Sequence, residues 1–171
     1  MKNTVKTIAI WVLVGGIFVG FLWLLAKSQA SSSLSSKNLT ESESQLTASE
    51  VFYDFGTISM AGGKVKKIFK VSNETTKDVV VKEISTSCMC TEAYIGSGDS
   101  KKGPYGMPGH GGFALTRANE KIGSGESRDV EVVFDPNAHG PAGVGMIDRL
   151  IYLTDASGST LQLEIKAEVT P

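Results

Sequence analysis

The only two cysteines of this 171-residue chain, Cys88 and Cys90, are separated by a single methionine. A Gly-rich stretch that contains Met107 and His110 follows them, and His139 is the only other histidine. Thiolate and thioether groups are soft ligands that select Cu(I), and an imidazole can complete such a site. If the Gly-rich loop folds back onto the cysteines, the sequence predicts a Cu(I) site formed by Cys88, Cys90, Met107 and His110.

The spacing of the two cysteines leaves two other interpretations open. In a β-strand, residues two apart face the same side with their Cα atoms roughly 6.5 Å apart, which is at the far edge of disulfide geometry. A bridge between Cys88 and Cys90 therefore requires a turn, and we expect such a bridge to be strained and easily reduced. A redox role is weakened because no helix N-terminus is predicted nearby to favour a thiolate. The remaining interpretation is structural, since cysteines are often simply buried in tight corners.

Enzymatic chemistry has little support in the residue pattern. Four aspartates lie at predicted strand ends or turns, where no carboxylate pair can be placed together, namely Asp54, Asp135, Asp148 and Asp155. No serine is matched with a base and an orienting acid, and the Gly-rich loops lack the phosphate-binding spacing with Lys and Ser/Thr. We therefore predict no catalytic residues and a non-enzymatic protein.

The charge balance argues against nucleic acid as a partner. The 17 Lys and Arg residues nearly cancel the 18 Asp and Glu residues, and no basic stripe is present. Two cysteines cannot form a framework of several bridges. The domain must therefore be stabilised mainly by apolar packing.

Residues 7–26 contain no charged side chain. As an α-helix they would span about 30 Å, the thickness of a bilayer core. Lys2 and Lys6 precede this run, so the positive-inside rule places residues 1–6 in the cytoplasm and the rest of the chain outside. The sequence thus predicts a single-pass protein of the cell membrane with a signal-anchor and an extracytoplasmic C-terminal domain.

A cleaved signal peptide is the alternative interpretation of the N-terminus. Residues 28–30, Ser-Gln-Ala, provide small residues where a peptidase would cut, but the apolar run exceeds the roughly 7–15 residues of a signal h-region. Both interpretations place the domain outside the cytoplasm. The Ser-rich residues 27–47 cannot bury enough apolar surface to order themselves and are predicted to form a flexible tether.

The remaining chain shows the alternation of apolar and polar residues that is typical of half-buried strands. We predict strands at residues 51–56, 64–72, 79–86, 127–134, 146–154 and 161–169. Short strands separated by Gly, Asn, Asp and Pro turns, with no helix-period runs, are typical of a β-sandwich. The prediction is an all-β, Ig-like antiparallel β-sandwich over residues 48–171, with a Gly-rich insertion near residues 96–125.

Four short segments resemble one bacterial family, catalogued as domain of unknown function 1573. They are an opening Phe-Tyr-Asp-Phe-Gly strand, a second strand with its Asn turn, a Ser-Cys-Met-Cys-Thr element and a Gly-Glu turn, at residues 52–58, 69–73, 87–91 and 125–127. The resemblance covers most of residues 50–169. It implies an exported Ig-like domain without an established activity. The chain departs from the family pattern where Met89 replaces a glycine and where residues 94–117 form an insertion.

These observations predict a membrane-anchored, extracytoplasmic Ig-like domain with a non-enzymatic binding or scaffolding role at the cell envelope. Its expected partners are the membrane itself, through the N-terminal helix, and an envelope protein. One alternative is a Cu(I)-binding protein that uses the Cys-x-Cys element. A second alternative is a redox-active dithiol formed by the same two cysteines.

Overall fold

The computed structural model describes residues 44–98, 100–110 and 116–171, which lie within one compact unit, Glu41–Pro171. These residues form two five-stranded sheets that pack as a β-sandwich. The strands are β1 Leu46–Ala48, β2 Phe52–Ser59, β3 Val65–Asn73, β4 Val79–Thr86, β5 Thr91–Ser97, β6 Ser100–Tyr105, β7 Arg117–Ile122, β8 Ser127–Phe134, β9 Gly145–Asp155 and β10 Thr160–Thr170. Two short 3₁₀-helices, Met60–Gly62 and Gly140–Gly143, follow β2 and β8.

The first sheet has the strand order β1-β3-β8-β5-β6, and the second has the order β2-β10-β9-β4-β7. All neighbouring strands are antiparallel except β2 and β10, which are parallel. This pair differs from the wholly antiparallel arrangement that the sequence predicts. Parallel neighbours need a long connection rather than a hairpin, and here nearly the whole domain separates the first and last strands of the second sheet.

The core lies between the two sheets and follows the predicted alternation. On β10, four alternating apolar side chains are buried, Leu163, Ile165, Ala167 and Val169. On β8 of the opposite sheet, Val130, Val132 and Phe134 are buried in the same way. Because successive side chains of a strand point to opposite faces, one apolar row on each strand is enough to cover one side of the core. The strands predicted at residues 127–134 and 161–169 are confirmed.

Four strands, β1, β5, β6 and β7, are absent from the sequence prediction. β1 begins at Leu46, inside the predicted tether, because the side chain of Leu46 is only 2% exposed and packs in the core. The predicted Gly-rich insertion contains β6 and β7. β6 carries Gly103 and Pro104 and lies at a sheet edge, where proline is tolerated in a strand. β7 was missed because its sequence, Arg-Ala-Asn-Glu-Lys-Ile, is largely polar.

No helix within the described part of the chain is long and apolar enough to cross a membrane. The predicted membrane-spanning residues 7–26 and the cytoplasmic residues 1–6 lie outside the described residues. Most of the predicted tether, residues 27–43, lies outside them as well.

Candidate functional site at the β4–β5 turn

The two cysteines lie on the connection between β4 and β5, where the chain crosses from the second sheet to the first. Thr86, the last residue of β4, is buried, and its Oγ1 donates to the carbonyl oxygens of Cys88 and Thr91, each 3.0 Å away. The amide of Thr91 donates to the carbonyl of Cys88 at 3.1 Å. These hydrogen bonds close a tight turn over residues 88–91.

Ser87 attaches this turn to the neighbouring strand β9. Its amide donates to the carbonyl of Leu150 at 2.9 Å, and its Oγ accepts from the amide of Leu150 at 2.9 Å. The turn is therefore fixed at its start by backbone and side-chain hydrogen bonds that do not involve the cysteine sulfurs.

The turn brings the Cα atoms of Cys88 and Cys90 to 5.2 Å, and their sulfur atoms form a disulfide. An extended strand would hold these atoms at about 6.5 Å, so the expectation that a bridge requires a turn is met. Cys90 is only 2% exposed, whereas Cys88 is half-buried and Met89 between them is 52% exposed. Cys88 is thus the more accessible member of the pair.

Each sulfur atom has a polar partner from a distant part of the chain. Nε2 of His139 lies 3.2 Å from Sγ of Cys88, and Nε of Arg149 lies 3.2 Å from Sγ of Cys90. Sulfur in a disulfide carries no proton, so both nitrogen atoms act as donors. The arrangement combines a disulfide with an imidazole beside one sulfur and a guanidinium beside the other.

His139 belongs to the loop that follows β8, and this loop is attached to the cysteine turn. The amide of Asp135 donates to the carbonyl of Cys90 at 2.9 Å. Oδ1 of Asp135 in turn accepts from the amide of Asn137 at 2.9 Å. These two hydrogen bonds hold the loop so that His139, although exposed, lies against Cys88.

Arg149 lies on β9 in a row of residues that otherwise faces the core. Ile147, Ile151 and Leu153 share its side of the strand and are buried. A charge in such a row is costly unless it has specific partners, and here Nε donates to the sulfur of Cys90 and Nη1 donates to the carbonyl oxygen of Asp148 at 2.8 Å. The sequence predicts this strand, and a charged residue among its inward-facing apolar residues is a signal by which Arg149 can be recognised, although it is not among the predicted site residues.

The structure brings two of the four predicted Cu(I) ligands together with a histidine that was not predicted as a ligand. Cys88 and Cys90 are joined, and the histidine beside them is His139 rather than His110. His110 is exposed and its amide donates to the carbonyl of Met107 at 3.3 Å, in a local turn of the loop. In the part of the chain that the structure describes, Cys88, Cys90 and His139 form the cluster of His, Cys, Asp or Glu side chains suited to a metal ion. The site with Met107 and His110 stays a prediction.

A second polar cluster lies where the edge strands β6 and β7 approach β8. Glu120 on β7 is buried, and its carboxylate accepts from Nζ of Lys102 at 2.6 Å and from Nε of Arg128 at 2.9 Å. Burial, the largest single influence, raises the pKa of Glu120, but the hydrogen bonds and charges of Lys102 and Arg128 together outweigh it and lower the pKa. Arg128 also pairs with Glu126 at 3.0 Å. The cluster is satisfied by its own members.

Comparison with solved structures supports the fold. The chain is similar to a protein of unknown function from Porphyromonas gingivalis W83, with 15% identity and a TM-score of 0.51, over 72% of this chain and 46% of that one. It is also similar to the VesB protease of Vibrio cholerae, with 16% identity and a TM-score of 0.48, over 75% and 33% of the two chains. The chain therefore spans less than half the length of either. The first likeness shows the fold alone, and the second carries no argument.

The CupB2 chaperone of Pseudomonas aeruginosa shows a weaker likeness, with 13% identity and a TM-score of 0.38, over 72% of this chain and 55% of that one. It carries no argument either. No curated protein matches the sequence significantly. The family comparison covers the turn that holds both cysteines, whereas His139 and Arg149 lie C-terminal to the matched segment. Residues 46–106 match the model of the family described as protein of unknown function (DUF1573), which confirms the resemblance found in the sequence.

Proposed function

We propose that the domain exchanges disulfides with a dithiol partner through Cys88 and Cys90. One observation carries the proposal: the guanidinium of Arg149 lies 3.2 Å from the buried sulfur of Cys90, while Cys88 stays accessible. Reactive cysteines occur in such electropositive, partly exposed surroundings because a nearby cation stabilises the thiolate. The sequence offered no helix N-terminus for this purpose, and Arg149 supplies the positive charge instead.

The surroundings of the two sulfur atoms suit them to different roles. A partner thiolate attacks Sγ of Cys88 and forms a mixed disulfide with it. The bond between Cys88 and Cys90 breaks, and its electron pair stays on Sγ of Cys90 as a thiolate that Arg149 stabilises. The partner's second thiolate then displaces Cys88, so that the partner ends as a disulfide. Two electrons have moved to Cys88 and Cys90, which end as thiolates, and any protons that they then take up come from the solvent that received the protons of the partner's thiols.

A purely structural role accounts less well for this disulfide. In the chain-entropy account a disulfide stabilises the fold by restricting the unfolded chain, and the gain rises with the length of the closed loop. A loop of three residues is worth about 1.6 kcal/mol on this account, against about 3 kcal/mol for fifteen residues. The turn is also closed by the hydrogen bonds of Thr86 and Ser87, which do not need the disulfide.

We further infer that this is an Ig-like binding module held at the outer side of a membrane by residues 7–26. The support is the charge-free run of those residues and the two lysines before it. A disulfide suits this location because such bonds persist in oxidising compartments. The partner would be an envelope protein whose thiols approach the accessible Cys88 beside exposed Met89. In this scheme the domain is a stoichiometric partner rather than an enzyme.

The test is the rate at which dithiothreitol reduces the disulfide in the purified full-length chain. The free thiols are alkylated at each time point, and the mass of the product is measured by mass spectrometry. We expect Arg149→Gln to slow the reduction about tenfold, because a hydrogen bond to a charged sulfur is worth at least about 1.4 kcal/mol. Lys121→Gln is the matched control, since it removes one positive charge from an exposed position paired with Asp78.

Two outcomes would contradict the proposed function. One is a disulfide that stays intact at every dithiothreitol concentration that leaves the protein folded. The other is equal reduction rates for wild type, Arg149→Gln and Lys121→Gln, which would show that the cation does not assist the leaving thiolate.

A further inference from the structure

We propose that reduction of the Cys88–Cys90 pair creates a Cu(I) site whose third ligand is His139. The inference rests on the proposed function, because only the reduced pair can provide thiolates. It differs from the site predicted from the sequence, in which Met107 and His110 complete the ligand set.

The three donor atoms already converge in the oxidised protein. Both sulfur atoms and a ring nitrogen of His139 lie within 4.8 Å of one another. Metal–sulfur and metal–nitrogen bonds of about 2.0–2.3 Å allow two ligands of one ion to be at most about 4.6 Å apart. Breaking the disulfide separates the two sulfurs from bonding distance and leaves room for an ion between them, so only small side-chain movements are needed.

The donor set favours Cu(I) over Zn²⁺. Two thiolates and one imidazole are soft or intermediate ligands, which Cu(I) prefers, whereas structural zinc sites almost always have four ligands. Within the described residues the cluster offers three. The charges also match: Cu(I) with two thiolates and a neutral imidazole has a net charge of −1. Arg149, 3.2 Å from Sγ of Cys90, compensates this charge.

Reduction of the disulfide and binding of Cu(I) each change the protons held by the three ligands. Reduction adds two electrons and two protons to the disulfide, and binding of Cu(I) releases both thiol protons. Nε2 of His139 donates to Cys88 in the disulfide, so as a ligand it must present its lone pair and carry the ring proton on Nδ1. His139 is exposed, and solvent can exchange this proton. The ring needs no new backbone position, because its loop is already tied to Cys90 through Asp135.

The site is therefore controlled by the redox state of its own ligands. In the disulfide the sulfur atoms have no thiolate charge and hold no Cu(I). After the dithiol exchange described above, the same two atoms become its principal ligands. A redox partner and Cu(I) would thus compete for one pair of cysteines.

The test is an anaerobic titration of Cu(I) into the purified full-length chain against a coloured Cu(I) chelator. Thiols are counted in parallel on each sample. We expect the reduced protein to bind one Cu(I) per chain and the oxidised protein to bind none. His139→Ala should weaken binding at least about tenfold, while His110→Ala, which replaces the only other histidine, should leave the affinity unchanged. Both histidines are exposed, so both variants are expected to fold.

The outcomes separate this inference from the proposed function. If two thiols are counted and no Cu(I) binds, the metal site is refuted while the disulfide exchange stands. If His110→Ala weakens binding and His139→Ala does not, the Gly-rich loop supplies the ligand and our assignment of His139 is wrong. If no thiols appear under dithiothreitol, the proposed function fails, and the Cu(I) site fails with it because it needs the reduced pair.

Discussion

In two strands of the second sheet, a charged residue lies between two buried apolar residues of the inward-facing row. On β9 this residue is Arg149, between Ile147 and Ile151, and on β7 it is Glu120, between Ala118 and Ile122. Both positions follow the same alternation, and both would be costly without a partner. The partners differ, and with them the chemistry that each charge can support.

The carboxylate of Glu120 is fully paired with neighbouring cations. Both carboxylate oxygens accept from cations, one from Lys102 and one from Arg128. Arg149 instead directs Nε at Sγ of Cys90, a weak acceptor while the disulfide is intact. In the proposed exchange this sulfur becomes a thiolate, which accepts more strongly from a guanidinium than a disulfide sulfur does. A charge in a core-facing row can therefore face an opposite charge, as Glu120 does, or a sulfur atom, as Arg149 does, and under the proposed exchange only the second arrangement assists a reaction.

The largest effect on the free energy of unfolding is expected from removing the charge of Glu120. Glu120→Gln should lower the free energy of unfolding by roughly 1–3 kcal/mol. Breaking a buried ion pair costs about 3–5 kcal/mol, and we reduce this because Lys102 can return to solvent and Arg128 keeps Glu126. Urea unfolding measures it. Lys121→Gln, on the outer face of the same strand, should leave the midpoint unchanged, and equal losses in both variants would remove the distinction between the two faces.

The second effect is the pH dependence of the stability that the Glu120 carboxylate contributes. The pKa of Glu120 is lowered from its ordinary value of 4.5, so the folded state binds a proton less readily than the unfolded chain. The contribution of the Glu120 carboxylate to the free energy of unfolding is therefore present above about pH 4.5. It is lost as the pH falls through the pKa of Glu120 in the folded state. The difference in stability between wild type and Glu120→Gln should shrink as urea unfolding is repeated from pH 7 towards pH 3. A difference that stays constant over this range would show that the carboxylate charge is not what stabilises the cluster.

The smallest effect on stability is expected from removing the charge of Arg149. Arg149→Gln should change the free energy of unfolding by less than about 1 kcal/mol, because it removes one hydrogen bond to a weak acceptor, Sγ of Cys90, and one to the exposed carbonyl of Asp148, which water can replace. The same variant is expected to slow disulfide reduction about tenfold, as argued above. Urea unfolding of the oxidised protein is the measurement. A loss as large as that of Glu120→Gln would make Arg149 a structural residue and would weaken the redox proposal.

Much of the fold was accessible from local patterns in the sequence. The strict alternation of β10 and the apolar row of β8 predicted strand positions and buried faces, since a strand has a period of two whatever it pairs with. The prediction failed where the pattern is weak or short. β7 is mostly polar because Glu120 takes an inward position that tertiary ion pairs make acceptable.

The candidate site was only half predictable. The pair of cysteines and the need for a turn between them follow from spacing and strand geometry alone. His139 and Arg149 lie 51 and 59 residues from the cysteines that they contact. Their placement depends on β9 pairing with β4 and on the β8 loop reaching the carbonyl of Cys90.

The sequence by itself determined that a closely spaced pair of cysteines, a β-sandwich and a charge-free N-terminal run occur in one chain, because residue type and period are local properties. Only the tertiary structure decided which histidine lies beside the sulfurs and which charge faces them. Nothing in the spacing distinguishes His110, 20 residues after Cys90, from His139. The distinction arises because strand pairing brings distant segments together and leaves some nearby ones apart.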